Sequence, residues 1–474
     1  MNLDRWLTLK RLRAHGLLLA LAIWTLFTWT IATSTLRDRN GNLKGTDFLH
    51  FYTLGSLAID HRGGELYDMH AQSVLAAQRV PNAAGIRYLP LYPPQVSLVF
   101  APLAHLSYGW ALALWWFFTT LIYGACCYGI WRLCPNLHDF GGTVALAAIA
   151  FPAFFHLIAW GQTSALALAC FTAVFFLLRD KREFAAGLAL GCLVFKPQLG
   201  LAVAVVFIFT GRWKLVAGAA LSAAAQIAAG FAYYGGDPFR SWLRTLRHVP
   251  ALLPSFEPRP YQTHCLRTFW SMLVPWSGMS LGLYIASTAI VLTWTIAIWR
   301  RQEQASLKYS ALLLATVLVS PHLTVYDLVI LAPAILLLTD WLISHVLVKQ
   351  GIGTLIYLVY VLPLLGPAMR WIHVQLSVVA MVALLCVLWQ LRERGDSALS
   401  SGASIREHGK GIGNGSGQET SLRRLMRVSN RLGRRGLSRA LSKSTLCQQI
   451  GRCYRLPNRN ESASGKRRAQ ADSW

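Results

Sequence analysis

Asp47 stands in Gly45-Thr46-Asp47-Phe48-Leu49-His50-Phe51-Tyr52, a lone carboxylate in an aromatic stretch just after the first long apolar run. Held between aromatic side chains at a membrane surface, a carboxylate loses part of its water. That raises its basicity and suits it to take a proton from a sugar hydroxyl. The same residue at the start of a predicted helix also fits an N-cap, where it accepts free backbone N–H groups. Lys196 interrupts an apolar hairpin, Gly191-Cys192-Leu193-Val194-Phe195-Lys196-Pro197-Gln198-Leu199. A lysine there either snorkels to the interface or sits in a cavity where a phosphate would satisfy it. His322 lies in Ser320-Pro321-His322-Leu323-Thr324-Val325-Tyr326-Asp327, either as a packing residue or as a second polar contact, with Asp327 able to pair with a cation. Trp160-Gly161-Gln162-Thr163 adds an indole and an amide, which a helix boundary with an interfacial tryptophan would also explain. The stretch 235–278 carries Arg240, Arg244, Arg247, Arg259, His264 and Arg267, basic side chains able to grip a phosphate headgroup.

These residues need an apolar frame, and the composition supplies one. The chain has 474 residues, 54% hydrophobic and only 14% charged, with 18 Trp, 21 Phe and 16 Tyr. An ordinary soluble domain carries about 25% charged residues, so the sequence reads as an all-α polytopic membrane protein. A disulfide scaffold is excluded, since the nine cysteines are scattered, and no CxxC pair or His spacing suited to zinc occurs. Clear spans are expected at 14–36, 109–133, 141–157, 162–178, 280–299, 324–345 and 370–391, with shorter ones at 184–196, 198–210, 214–234, 307–320 and 352–366. Together they make about 12. The proline-marked stretch 91–106 reads as re-entrant. Helical spacing predicts interfacial helices over about 47–60, 69–79 and 238–249.

Of the net charge of +25, residues 392–474 carry +12, from 18 Lys and Arg against 6 Asp and Glu. The division is therefore a membrane domain over 1–391 and a basic cytoplasmic tail over 392–474, solvated or lying on anionic lipid. Nucleic acid is not an expected partner, because no fold signature accompanies the charge. Basic residues beside the spans, such as Arg11, Arg179, Lys181, Arg212 and Arg300, put both termini in the cytoplasm. The first apolar run is too long for a cleavable signal peptide. Loops 37–90 and 235–278 and the turns at 160–162, 196–198 and 321–322 then face outward.

In order along 45–391, Thr46-Asp47-Phe48, Leu66-Tyr67-Asp68, Tyr92-Pro93-Pro94, Trp160-Gly161-Gln162, Phe195-Lys196-Pro197-Gln198, Gly211-Arg212-Trp213 and Ser320-Pro321-His322 with Tyr326-Asp327 resemble glycosyltransferase family 87 of the GT-C superfamily. The resemblance implies a GT-C-type bundle with Asp47 catalytic in the first outer loop. It also implies a polyprenyl-phosphate-sugar donor such as the mannose derivative, inversion at the anomeric carbon, no metal and no cofactor. Lys196, His322, Arg259, Arg267 and His264 are then expected at the donor phosphate, and Tyr52, Tyr92, Trp160, Gln162 and Tyr326 around the acceptor or sugar pocket. The acceptor is expected to be a glycolipid or cell-envelope glycan, at the outer face of a bacterial inner membrane and among its lipids. A transporter or flippase of lipid-linked sugars is the competing class, though no internal repeat supports it. A catalytically inactive binding protein is a third.

Overall fold

A computed structural model describes residues 7–256, 260–302, 304–345 and 351–391. The expected tail and Arg259 lie outside the described residues. In chain order the α-helices are α1 (Leu9–Ile31), α2 (Thr46–Ile59), α3 (Met69–Arg79), α4 (Val96–Ala104), α5 (Tyr108–Trp131), α6 (Gly141–Ile149), α7 (Pro152–Trp160), α8 (Ser164–Arg179), α9 (Glu183–Gly191) and α10 (Pro197–Phe209). They continue as α11 (Trp213–Tyr234), α12 (Asp237–Phe256), α13 (Leu266–Leu273), α14 (Ser277–Arg301), α15 (Ala305–Val319), α16 (Ala332–Ser344), α17 (Ile352–Val361), α18 (Gly366–Ile372) and α19 (Leu376–Leu391). Among the described residues there is no β-strand, only the isolated bridges Arg37–Leu43 and Thr263–Thr324.

Each of the twelve expected segments coincides with apolar helix, but length separates them. Among the described residues six helical stretches are long and apolar enough to cross a membrane, or seven if the pair 135–149 and 152–160, bent by 44°, counts as one span. Pro152 explains that break, because it has no N–H to continue the ladder. Five further apolar helices have 10–17 residues, short of the roughly 20 that a bilayer core requires. The first and last expected spans differ in their boundaries. The first span starts earlier, at Leu9, and residues 370–372 belong to α18, so the last apolar helix begins at Leu376. The stretch 91–106 yields α4, nine residues long with Pro102 inside, too short to cross and packed on α2.

The interior is built around α15, whose residues from Tyr309 to Val319 are all buried. A helix apolar on every side belongs at the centre of a bundle. Helices α9 and α11 pack against each other along their length. A Cβ on Gly187 would lie 2.9 Å from the Ala219 backbone nitrogen, so only glycine lets these two backbones approach. A second apolar cluster joins α2, the segment after α3, α4 and α5 through Phe48, Phe51, Tyr52, Phe100, Tyr108 and Trp115. It fixes α2, and with it Asp47, against the bundle. At the opposite end of the bundle Arg212 pairs with Glu183, and the Arg300 guanidinium donates to the Phe209 carbonyl at 2.5 Å. The basic turns thus gather at one end and the turns bearing Gln162 and Lys196 at the other.

Candidate active site

Asp47 occupies the first turn of α2, and it is not the cap. Gly45 caps the helix in a left-handed conformation without a side-chain bond. The Asp47 carboxylate is instead engaged from another part of the chain: the Gln162 Nε2 donates to its Oδ2 at 2.6 Å. Gln162 lies in the turn between α7 and α8, which Gly161 makes possible with φ +72°, where a Cβ would lie 2.7 Å from that of Phe48. The Trp115 indole holds the turn by donating to the Gly161 carbonyl at 3.0 Å, while its ring stacks on Phe48. A hydrophobic cluster therefore sets a polar contact. Burial raises the Asp47 carboxyl from 3.8 to about 6, against the opposing pull of the Gln162 bond and the Lys196 charge. A carboxylate in that range is a usable base near neutrality.

Next to it lies a closed polar triangle. Lys196 immediately precedes α10, and its Nζ donates to Asp327 Oδ1 at 2.6 Å and to Ser164 Oγ at 3.0 Å. Ser164 Oγ in turn donates to Asp327 Oδ1 at 2.5 Å. The Lys196 and Asp327 side chains are only 4% and 7% exposed, so the lysine does not snorkel. Asp327 Oδ2 accepts from the Thr324 backbone N–H and hydroxyl, both at 3.3 Å. The Lys196 ammonium also lies 5.4 Å from the centre of the Tyr326 ring. Lys196 and Asp327 are both close enough to alter the affinity of Asp47 for its proton.

The expected pocket residues divide into two groups. Gln162 bonds Asp47, Tyr92 and Tyr326 lie within electrostatic reach of both Asp47 and Asp327, and the Trp160 ring faces that of Tyr326 with centres 6.4 Å apart. Tyr52 turns elsewhere: its hydroxyl donates to the Leu106 carbonyl at 2.8 Å, and its ring packs against Phe48 and Tyr108. That makes it a strut of α2. Of the expected phosphate contacts, Lys196 is the one whose charge acts on Asp47 among the described residues. His264 is fully buried, its Nδ1 2.7 Å from Ser377 Oγ, and burial lowers its imidazole to about 3. A neutral ring cannot serve as the expected cation. Arg267 donates through Nε to the Pro321 carbonyl, bracing the turn that leads to Asp327. His322 lies in that turn, its carbonyl accepting from the Ser320 hydroxyl at 3.0 Å.

Asp327 falls inside a quoted motif without a role assigned by it, and Ser164 and Tyr88 escape a reading by motif. Asp327 is legible only as an anion in search of a cation, since its partner is 131 residues away. Ser164 carries no signal, because small hydroxyl residues are common at helix starts. Tyr88 donates its hydroxyl to the Thr46 carbonyl, tying the segment before α4 to the residue preceding Asp47.

Among the described residues no group of His, Cys, Asp and Glu is arranged to hold a metal ion. No curated protein and no solved structure matches the chain. Residues 91–321 match the family model described as Glycosyltransferase family 87, a stretch that contains Tyr92, Trp160, Gln162, Ser164 and Lys196 and ends just before His322 and Asp327. Over that stretch, just under half of the chain, the sequence is similar to glycosyltransferase family 87, which together with the apolar helices supports a membrane glycosyltransferase.

Proposed function

We propose that the protein transfers a hexose, in the first instance mannose, from a polyprenyl-phosphate-sugar donor to a glycolipid or cell-envelope glycan, with inversion. The observation that carries this reading is the state of the Asp47 carboxylate. One oxygen is bound by Gln162 and the other has no hydrogen bond to a described residue, which suits it to receive an acceptor hydroxyl. Asp327, the other carboxylate nearby, is saturated by Lys196, Ser164 and Thr324. A single free base suits one in-line displacement, whereas retention by double displacement would need a second working carboxylate. Lys196 supplies the positive charge that the departing phosphate requires.

The site lies at the end of the bundle opposite the basic turns, which by the usual retention of Lys and Arg on the cytoplasmic side makes it the outer face of an inner membrane. On this reading residues 1–391 form a GT-C-like domain of about twelve crossings, with α2 and α3 at the interface, and 392–474 a cytoplasmic tail. Cysteine introduced at Gly64, where a side chain meets open space, should be labelled from outside intact cells in a protein otherwise lacking reactive thiols. Labelling only after permeabilisation overturns this topology.

The direct test of function is incubation of the purified protein with radiolabelled polyprenyl-phosphate hexoses and an envelope lipid extract. Product with a mannosyl donor, and its absence with a nucleotide sugar, is the expected outcome. Its pH dependence is also fixed. Because Asp47 is the base and is raised to about 6, turnover should fall as pH drops through about 6. The Gln162 bond stabilises the charged carboxylate, so Gln162→Leu should move that limb to higher pH. An acid limb still near pH 4 in the wild type would contradict a desolvated base.

A further inference from the structure

We propose that Asp327 and Ser164 are positioning residues that store the Lys196 ammonium beside Asp47, and that the donor phosphate takes the lysine over from Asp327 during transfer. The inference rests on the reading of Lys196 as the phosphate contact and adds how a buried lysine can serve it.

An ammonium has three protons. Two of them go to Asp327 and Ser164, and the third has no hydrogen-bond acceptor among the described residues, the ammonium lying over the Tyr326 ring. A phosphate oxygen can therefore bind Lys196 before any existing bond breaks. Asp327 is prepared for the exchange from the other side. If the lysine shifts, its carboxylate keeps the Ser164 hydroxyl on Oδ1 and two Thr324 donors on Oδ2. The usual cost of leaving a buried charge without its partner is thereby reduced. Ser164 bonds both members of the pair, so it can remain on Asp327 while the lysine moves.

The charge balance of the reaction fits this arrangement. The acceptor oxygen bonds to the anomeric carbon and its proton passes to Asp47. The bond from that carbon to the phosphate oxygen breaks, and its electron pair leaves with the phosphate, which becomes a dianion. One negative charge thus disappears at Asp47 as one appears at the phosphate. Lys196, which acts on the Asp47 charge before the step, has only to follow that charge. Asp327 prevents the lysine from pairing with Asp47 too firmly and quenching the base.

The test uses purified full-length protein, a short-chain polyprenyl-phosphate-mannose, and the variants Asp327→Asn, Ser164→Ala and Lys196→Met/Asp327→Asn. For Asp327→Asn, donor Kd should change less than threefold, while kcat should fall between about ten- and a hundredfold, the range that a misplacement of about 1 Å produces. The acid limb should also move to lower pH. The groups facing Asp47 are Gln162, Lys196, Asp327, Tyr88, Tyr92, Tyr108 and Tyr326, and of these Asp327 is the anion whose charge raises Asp47. Ser164→Ala should lower kcat less without removing a charge. The double variant should regain thermal stability lost by Lys196→Met but not turnover. Restoration of both stability and turnover in the double variant, or an unmoved acid limb and unchanged kcat in Asp327→Asn, overturns the proposal and leaves a purely structural ion pair. A wild type that binds the donor yet transfers nothing, to any acceptor in the lipid extract, overturns the functional reading and this inference together.

Discussion

Asp47→Asn is expected to reduce sugar transfer by about 10²–10⁴, the range associated with loss of a positioned general base, while leaving folding and donor binding intact. The substitution is conservative where the structure holds the side chain. An amide oxygen can still accept from the Gln162 Nε2, so the contact between α2 and the turn at 161–163 survives. At the other oxygen, the one without a partner among the described residues, an NH₂ group replaces a proton acceptor. The acceptor hydroxyl then has nowhere to send its proton. Since Asp47 is not the cap of α2, no loss of helix stability should accompany the change. Single-turnover measurement with saturating labelled donor, alongside thermal unfolding, separates the effects. Retention of more than about a tenth of wild-type transfer would argue against base catalysis. A fall in melting temperature that matched the fall in activity would return Asp47 to a structural role.

How far these residues are legible without coordinates follows from how local their signals are. The helices over 46–59 and 69–79 stand out because apolar side chains recur at helical spacing and Asp68 caps the second by accepting from the His70 and Ala71 N–H groups. The break at Phe151-Pro152 is equally written in the chain, yet the span expected over 141–157 runs through it, because a hydropathy window averages over a single proline. Lys196 is visible as a charge where no charge belongs. Its partner is not: a carboxylate 131 residues away leaves no trace in spacing, and Ser164, the hydroxyl between them, looks like any helix start. Tyr52 fails in the opposite direction. It sits in the right motif, but α2 turns by about 100° per residue, set by 3.6 residues per turn, so a residue five positions after Asp47 faces the turn at Leu106 instead of the pocket. His264 fails for an electrostatic reason. A basic residue in a polar loop suggests a cation, whereas the fold buries it completely and keeps it neutral.

Lys196→Met should produce the second large effect, and it should divide between stability and chemistry in a telling way. Methionine keeps an apolar side chain of similar length, so the packing around Tyr326 is largely retained. The charge goes, and Asp327 is left buried with hydroxyl and backbone donors alone. Removing one member of a buried ion pair costs about 3–5 kcal/mol, moderated here by those remaining donors, and a lower melting temperature is the expected consequence. The chemical consequence is separate. As the glycosidic bond breaks, the departing phosphate gains a charge in a site poor in water, where a fixed cation counts for more than it does in bulk solvent. Transfer should therefore slow by more than donor binding weakens. The defect should shrink with a donor whose leaving group has a lower pKa, because such a group needs less help to carry the new charge. The acid limb should move to higher pH at the same time, since the lysine charge lowers the proton affinity of Asp47. Comparing kcat for two synthetic donors of different leaving-group acidity, in wild type and variant, isolates this term. An equal loss with both donors would mean that Lys196 secures the fold around Asp327 and that another residue meets the phosphate.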